Sequence, residues 1–157
     1  MTSVYLIGSL RNPRVTEVAK QLRLAGYDVF DDWMAAGPEA DDFWLKYEKD
    51  RGVSMTEALK SYAAKHVFEF DLHHLNRCDM AVLLLPAGKS GHLEIGFMAG
   101  KGKPTFALFD TEPDRWDVMY QFLSGVFFSV DDLVTGMKFV NWPYEEGVID
   151  DWSLKQS

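Results

Sequence analysis

The chain has 157 residues, 47% of them hydrophobic and 25% charged, with a net charge of −8, which suits one globular domain (residues 1–157) with a sizeable core. The acidic balance argues against a nucleic-acid surface, since phosphate neutralisation needs clustered Lys and Arg, but a small anionic ligand needs only a few local donors. Cys78 is the single cysteine, no apolar run nears the ~20 residues of a membrane span, and no signal-like stretch follows Met1-Thr2-Ser3, so a cytoplasmic protein with no membrane partner is expected.

Val4 to Ile7 reads as a buried first strand ending at Gly8. Asn12-Pro13 opens a helix, with Asn as cap and Pro at the first helical position. Val15, Val18, Ala19 and Leu22 follow at helical spacing, and Gly26 closes it. Tyr27 to Phe30 forms the second strand of a strand–helix–strand unit. Residues 34–53 mix acids with Phe43, Trp44 and Tyr47 and read as a long, partly helical excursion. Ser54-Met55-Thr56-Glu57 is a capping box that starts a helix running to about Asn76. Met80 to Leu85 is apolar throughout, as a central parallel strand should be. Pro86 to Gly91 is a loop, and Leu93 to Gly100 begins a third helix. Thr105 to Phe109 and Gly125 to Phe128 complete about five strands. Strands alternating with helices imply a doubly wound α/β parallel sheet with helices on both faces. Its ligands bind beyond the carboxyl ends of the strands.

Three features carry chemistry. The loop Gly8-Ser9-Leu10-Arg11-Asn12 sets a hydroxyl and an arginine at a helix N-terminus; it is either an anion-holding loop or a tight turn with a surface Arg. The loop from Gly88 through Ser90 and His92 leads to Glu94, expected in the first turn of its helix. There the dipole favours the ionised form, suiting a nucleophile or a partner for a cationic sugar centre, or simply an acid at a helix start. Asp71 shares a helix side with Val67, Phe68 and Leu75. It is either a proton-handling carboxyl or a buried Asp tied to a cap or to Arg77. His66, His73, His74 and His92 form no metal motif, and neither metal nor cofactor is expected. Trp33, Phe43 and Trp44, with Tyr47, are candidates to stack a base, or else core and interface residues.

The segments VYLIGSLRNP, FEFDLHHLNRCDMAVLLL and GKSGHLEIGFMAGKGKP, in this order, resemble the nucleoside 2-deoxyribosyltransferase family and its nucleotide N-glycosidase relatives. The resemblance spans residues 3 to 109. It implies a flavodoxin-like fold, a dimer or larger homo-oligomer, and cleavage of an N-glycosidic bond without a cofactor. It makes Glu94 the nucleophile, Tyr5 the residue that orients it, and Asp71 the handler of the proton on the leaving base. Where the transferases commonly carry a sugar-contacting Asp, this chain has Gly88. Ser90 is the nearest polar candidate, and Ser9, Arg11 and Ser90 lean towards a 5′-phosphate. The implied substrate is a nucleoside or a nucleoside 5′-monophosphate. A TIR-like NAD-cleaving domain and a non-catalytic nucleotide sensor are the alternatives.

Overall fold

A computed structural model describes residues 1–140. Five parallel strands form one sheet in the order β2-β1-β3-β4-β5: β1 (Ser3–Ile7), β2 (Asp28–Phe30), β3 (Met80–Leu84), β4 (Thr105–Leu108) and β5 (Gly125–Phe127). This is the doubly wound, flavodoxin-like order, and its direction reverses between β1 and β3. Those two strands are in register from Val4 beside Met80 to Ile7 beside Leu83, so the loops that follow them lie side by side.

Alternation along the strands divides the core in two. Val4 and Leu6 of β1, with Val82 and Leu84 of β3, pack with Val15, Val18 and Leu22 of α1 (Arg14–Leu24) and Leu133 and Met137 of α6 (Val130–Lys138). Tyr5 and Ile7, with Ala81 and Leu83, pack with Leu75 of α4 (Tyr62–Arg77) and Ile95 and Met98 of α5 (Lys89–Gly100). α1 starts one residue later than the sequence suggests, at Arg14 with Pro13 at the N-cap, and Asn12 Oδ1 accepts from the Arg14 amide at 3.0 Å.

Two further helix boundaries differ from expectation. The helix starting at Ser54 stops after one turn as α3 (Met55–Ala58). Ser61 then caps a fresh start, its Oγ accepting from the Ala64 amide at 3.3 Å, and α4 follows. The capping box at Ser54 and Glu57 forms, but a second cap seven residues on divides the segment. The third helix begins at Lys89 rather than Leu93, with Gly88 at its N-cap. The excursion is a 3-10 turn (Asp32–Ala36) followed by α2 (Ala40–Asp50), whose one buried residue is Glu48.

At the end of α4, the Lys103 ammonium donates to the carbonyls of Leu75, Asn76 and Cys78 at 3.0, 2.7 and 2.8 Å. Carbonyls of a last helical turn have no partner within the helix, and a cation there also complements the dipole. Lys103 thus fixes the helix that carries Asp71 against the β3 side of the sheet. Among the described residues no helix is long and apolar enough to cross a membrane.

Candidate active site

Tyr5, Asp71 and Glu94 come together under the carboxyl half of β1. Tyr5 lies inside β1, 1% exposed, pointing to the α4/α5 face, with its ring centroid 5.0 Å from that of Phe30. Asp71, half-buried on α4, and the Tyr5 hydroxyl share a hydrogen bond. Glu94 lies in the second turn of α5 and is also half-buried. Gly91 allows this approach. A Cβ there would stand 3.0 Å from Leu83 Cδ1 and 3.2 Å from Ile7 Cγ2, so the first turn of α5 rests directly on β1 and β3.

Burial, then the neighbouring Asp71, raises the Glu94 carboxyl from 4.5 to about 7. Burial also raises Asp71, against a lowering contribution from the Tyr5 hydrogen bond. The Tyr5 phenol is held far above its ordinary value, first by burial and then by both carboxylates. Two carboxyls in one poorly solvated site resist simultaneous ionisation, so the pair retains a proton near neutral pH. This corrects the expectation of a dipole-stabilised Glu94: the residue is beyond the first turn, where that effect fades, and burial dominates. The setting of Asp71 also differs. Leu75 is buried, but Val67 and Phe68 are 59% and 62% exposed, and Arg77 engages His74 and Asp28.

The loop after β1 follows the strand that carries Tyr5. A Cβ on Gly8 would meet Val15 Cγ2 at 3.1 Å. The Ser9 Oγ accepts from the Arg11 amide at 3.2 Å, and the Arg11 guanidinium binds Asp42 of α2 at 2.5 Å. Across the switch point, His92 Nδ1 donates to the Gly88 carbonyl at 2.8 Å. Nε2 of the same ring shares a hydrogen bond of 2.9 Å with the Tyr120 hydroxyl. Ser90 is exposed in the first turn of α5. Trp33 Nε1 donates to the Leu6 carbonyl at 2.8 Å and its ring packs against both core clusters, so its indole edge is already committed. Phe43 is exposed, and Trp44 is half-buried. Among the described residues no group of three or more His, Cys, Asp or Glu is placed to hold a metal ion.

Sequence reasoning missed the partners that hold these loops: Asp42 for Arg11, Asp110 for Arg14, and Tyr120 for His92. Each pair is distant in sequence, and no local motif announces it. Tyr120 also lines a cleft of about 280 Å³ beyond β4 and β5, with Phe109, Glu112, Trp116, Asp117 and Phe128 around it.

No family model matches the chain, and no curated protein matches it by sequence. Among solved structures it is similar to a 2-deoxyribosyltransferase from Bacillus psychrosaccharolyticus, at 20% identity over 90% of this chain and 93% of that one, with a TM-score of 0.60. It also matches the Clostridium botulinum CMP N-glycosidase BcmB, at 12% identity over 88% of this chain and 100% of that one, with a TM-score of 0.49. The first likeness shows that this chain has the doubly wound α/β fold of that transferase.

Proposed function

We propose that the protein is an enzyme that cleaves the N-glycosidic bond of a nucleoside or nucleoside 5′-monophosphate, working as a cytoplasmic homo-oligomer. The observation that carries this reading is the Tyr5–Asp71–Glu94 cluster at the switch point, with two carboxyls beneath the ligand-binding edge and Glu94 poised at about 7. The fold shared with a 2-deoxyribosyltransferase agrees with it.

In this reading the Glu94 carboxylate attacks the anomeric carbon on the face opposite the base. A C–O bond forms as the C–N bond breaks, through an oxocarbenium-like transition state. The bonding pair leaves with the base, and Asp71 supports the base's protonation. The Tyr5 hydroxyl, bonded to Asp71 and close to Glu94, fixes the two carboxyls relative to one another. A second base or water then attacks the same carbon and releases Glu94. Ser9, Arg11, Gly88, Ser90 and His92 border the sugar and its 5′ end. The exposed apolar residues Val67, Phe68 and Phe70 of α4, with Leu93 and Phe97 of α5, support a homo-oligomer.

The test is a panel of nucleosides, 5′-monophosphates and NAD, with and without a free acceptor base, followed by chromatography. Base release from the nucleosides or monophosphates, lost in Glu94→Gln, is the expected result. Consumption of NAD alone would favour the TIR-like reading, and binding without turnover would favour a sensor.

A further inference from the structure

A loop that grips phosphate at a helix N-terminus must offer free donors; in the loop after β1 the Arg11 side chain and the Arg11 and Asn12 amides are already engaged, while the buried Asn12 Nδ2 has no protein partner. The Arg11 guanidinium is bound to Asp42 at 2.5 Å. The Arg11 amide donates to Ser9 Oγ at 3.2 Å, the Asn12 amide to the Ser9 carbonyl at 3.0 Å, and the Arg14 amide to Asn12 Oδ1 at 3.0 Å. The Arg14 side chain pairs with Asp110, just past β4. Both arginines at this edge are therefore balanced by carboxylates brought from elsewhere in the chain.

We propose that Asp42 is a specificity-determining residue: by holding Arg11 it turns this edge away from 5′-phosphates and towards the uncharged 5′-hydroxyl of free nucleosides. The inference rests on the N-glycosidic reading above. A phosphate monoester carries about −1.5 to −2 charges near neutrality. To reach Arg11 it must displace Asp42 and then sit beside that carboxylate, with Asp41 next in the chain. A 5′-hydroxyl brings no charge and asks for one hydrogen bond, so the balanced loop accepts it without rearrangement. The Arg11–Asp42 pair is exposed, 65% and 63%, so it adds little to stability. Its consequence lies in which ligand the loop selects. α2 buries little else, and Asp42 in its first turn ties the helix to the β1 loop.

The experiment measures kcat/KM for a matched nucleoside and its 5′-monophosphate in the wild type, Asp42→Asn and the double variant Asp42→Asn/Arg11→Ala, at low and high salt. The asparagine keeps the size and removes the charge. The expected result is a monophosphate-to-nucleoside ratio that rises about 10- to 100-fold in Asp42→Asn. The gain is lost when Arg11 is also removed, because that guanidinium is what the phosphate would use. In the wild type the ratio should rise with salt as the carboxylate is screened, and this rise should be absent from Asp42→Asn. A merely structural Asp42 would move both substrates together and leave the salt dependence unchanged. An unchanged ratio in an active enzyme overturns the inference and leaves the N-glycosidic reading standing. If no variant turns over either substrate, that reading has failed, and the ratio of the two ligands' affinities by calorimetry decides instead. A shift towards the monophosphate in Asp42→Asn upholds the role of Asp42; no shift, or no binding of either ligand, overturns it.

Discussion

The Asp71 carboxyl on α4 hydrogen-bonds the Tyr5 hydroxyl inside β1, joining a helix to the central sheet at the point where the strand order reverses. Glu94 is near enough for its charge to act on Tyr5, and Asp71 acts on Glu94 in turn. Asp71 raises Glu94 while the Tyr5 hydroxyl lowers Asp71, and the following predictions use that coupling.

On the proposed mechanism Glu94→Gln should abolish base release while leaving the fold intact, because the substitution would remove the nucleophile and not packing. It should also stabilise the protein at pH 8 and leave stability near pH 4 almost unchanged. A carboxyl raised from 4.5 to about 7 holds its proton more tightly when folded, so between those values the native state binds more protons and stability falls as pH rises. Above 7 that cost is complete, roughly 3 kcal/mol at 1.36 kcal/mol per unit, and the amide removes it. Thermal unfolding at the two pH values checks the sign.

kcat/KM in the wild type should rise through about pH 7 as Glu94 becomes a carboxylate. Since Asp71 pushes Glu94 upward, Asp71→Asn should move this rising limb to lower pH while slowing the reaction most for bases that need protonation to leave. A pH–rate profile for one good and one poor leaving base reads both effects. Equal slowing of the two bases would make Asp71 structural.

Tyr5→Phe keeps the ring against Phe30 and deletes one hydroxyl. That hydroxyl lowers the Asp71 pKa, so its loss should raise Asp71 further. We expect kcat to fall about 10- to 100-fold, with a stability loss of about 1 kcal/mol for the missing hydrogen bond. Single-turnover kinetics and denaturant unfolding measure the two separately.

Lys103→Met should destabilise the protein by about 2–3 kcal/mol, because three carbonyls at the end of α4 lose a charged donor. Denaturant unfolding measures that loss. As α4 carries Asp71, kcat should fall more than affinity for substrate, which steady-state kinetics resolves.

Sedimentation at micromolar concentration should give a dimer or tetramer. Phe68 and Leu93 are 62% and 75% exposed on the helices that carry Asp71 and Glu94, and Phe97 of α5 adds to that apolar surface. A fully active monomer would count against this and against any site shared between subunits.

The strands and the loop after β1 were legible in the sequence because they are local: a buried parallel strand is a short apolar run, and Asn12-Pro13 or Ser54-Met55-Thr56-Glu57 announces a helix within four residues. Pairing Tyr5, Asp71 and Glu94 from sequence required a resemblance, since nothing in their spacing says that β1, α4 and α5 meet. Tertiary structure alone decided three things. Lys89 to Gly91 became helical, because Gly91 allows the first turn of α5 to rest on Ile7 and Leu83, and this put Glu94 beyond the dipole's reach. The pKa of Glu94 was then set by burial and by Asp71, neither of which is a neighbour in sequence. Arg11 reads from sequence as either an anion-holding residue or a surface cation, and Arg14 carries no expectation of its own. The fold gave each a carboxylate, Asp42 and Asp110, brought up by α2 and by the end of β4, because a charge's partner depends on distance in space and not along the chain.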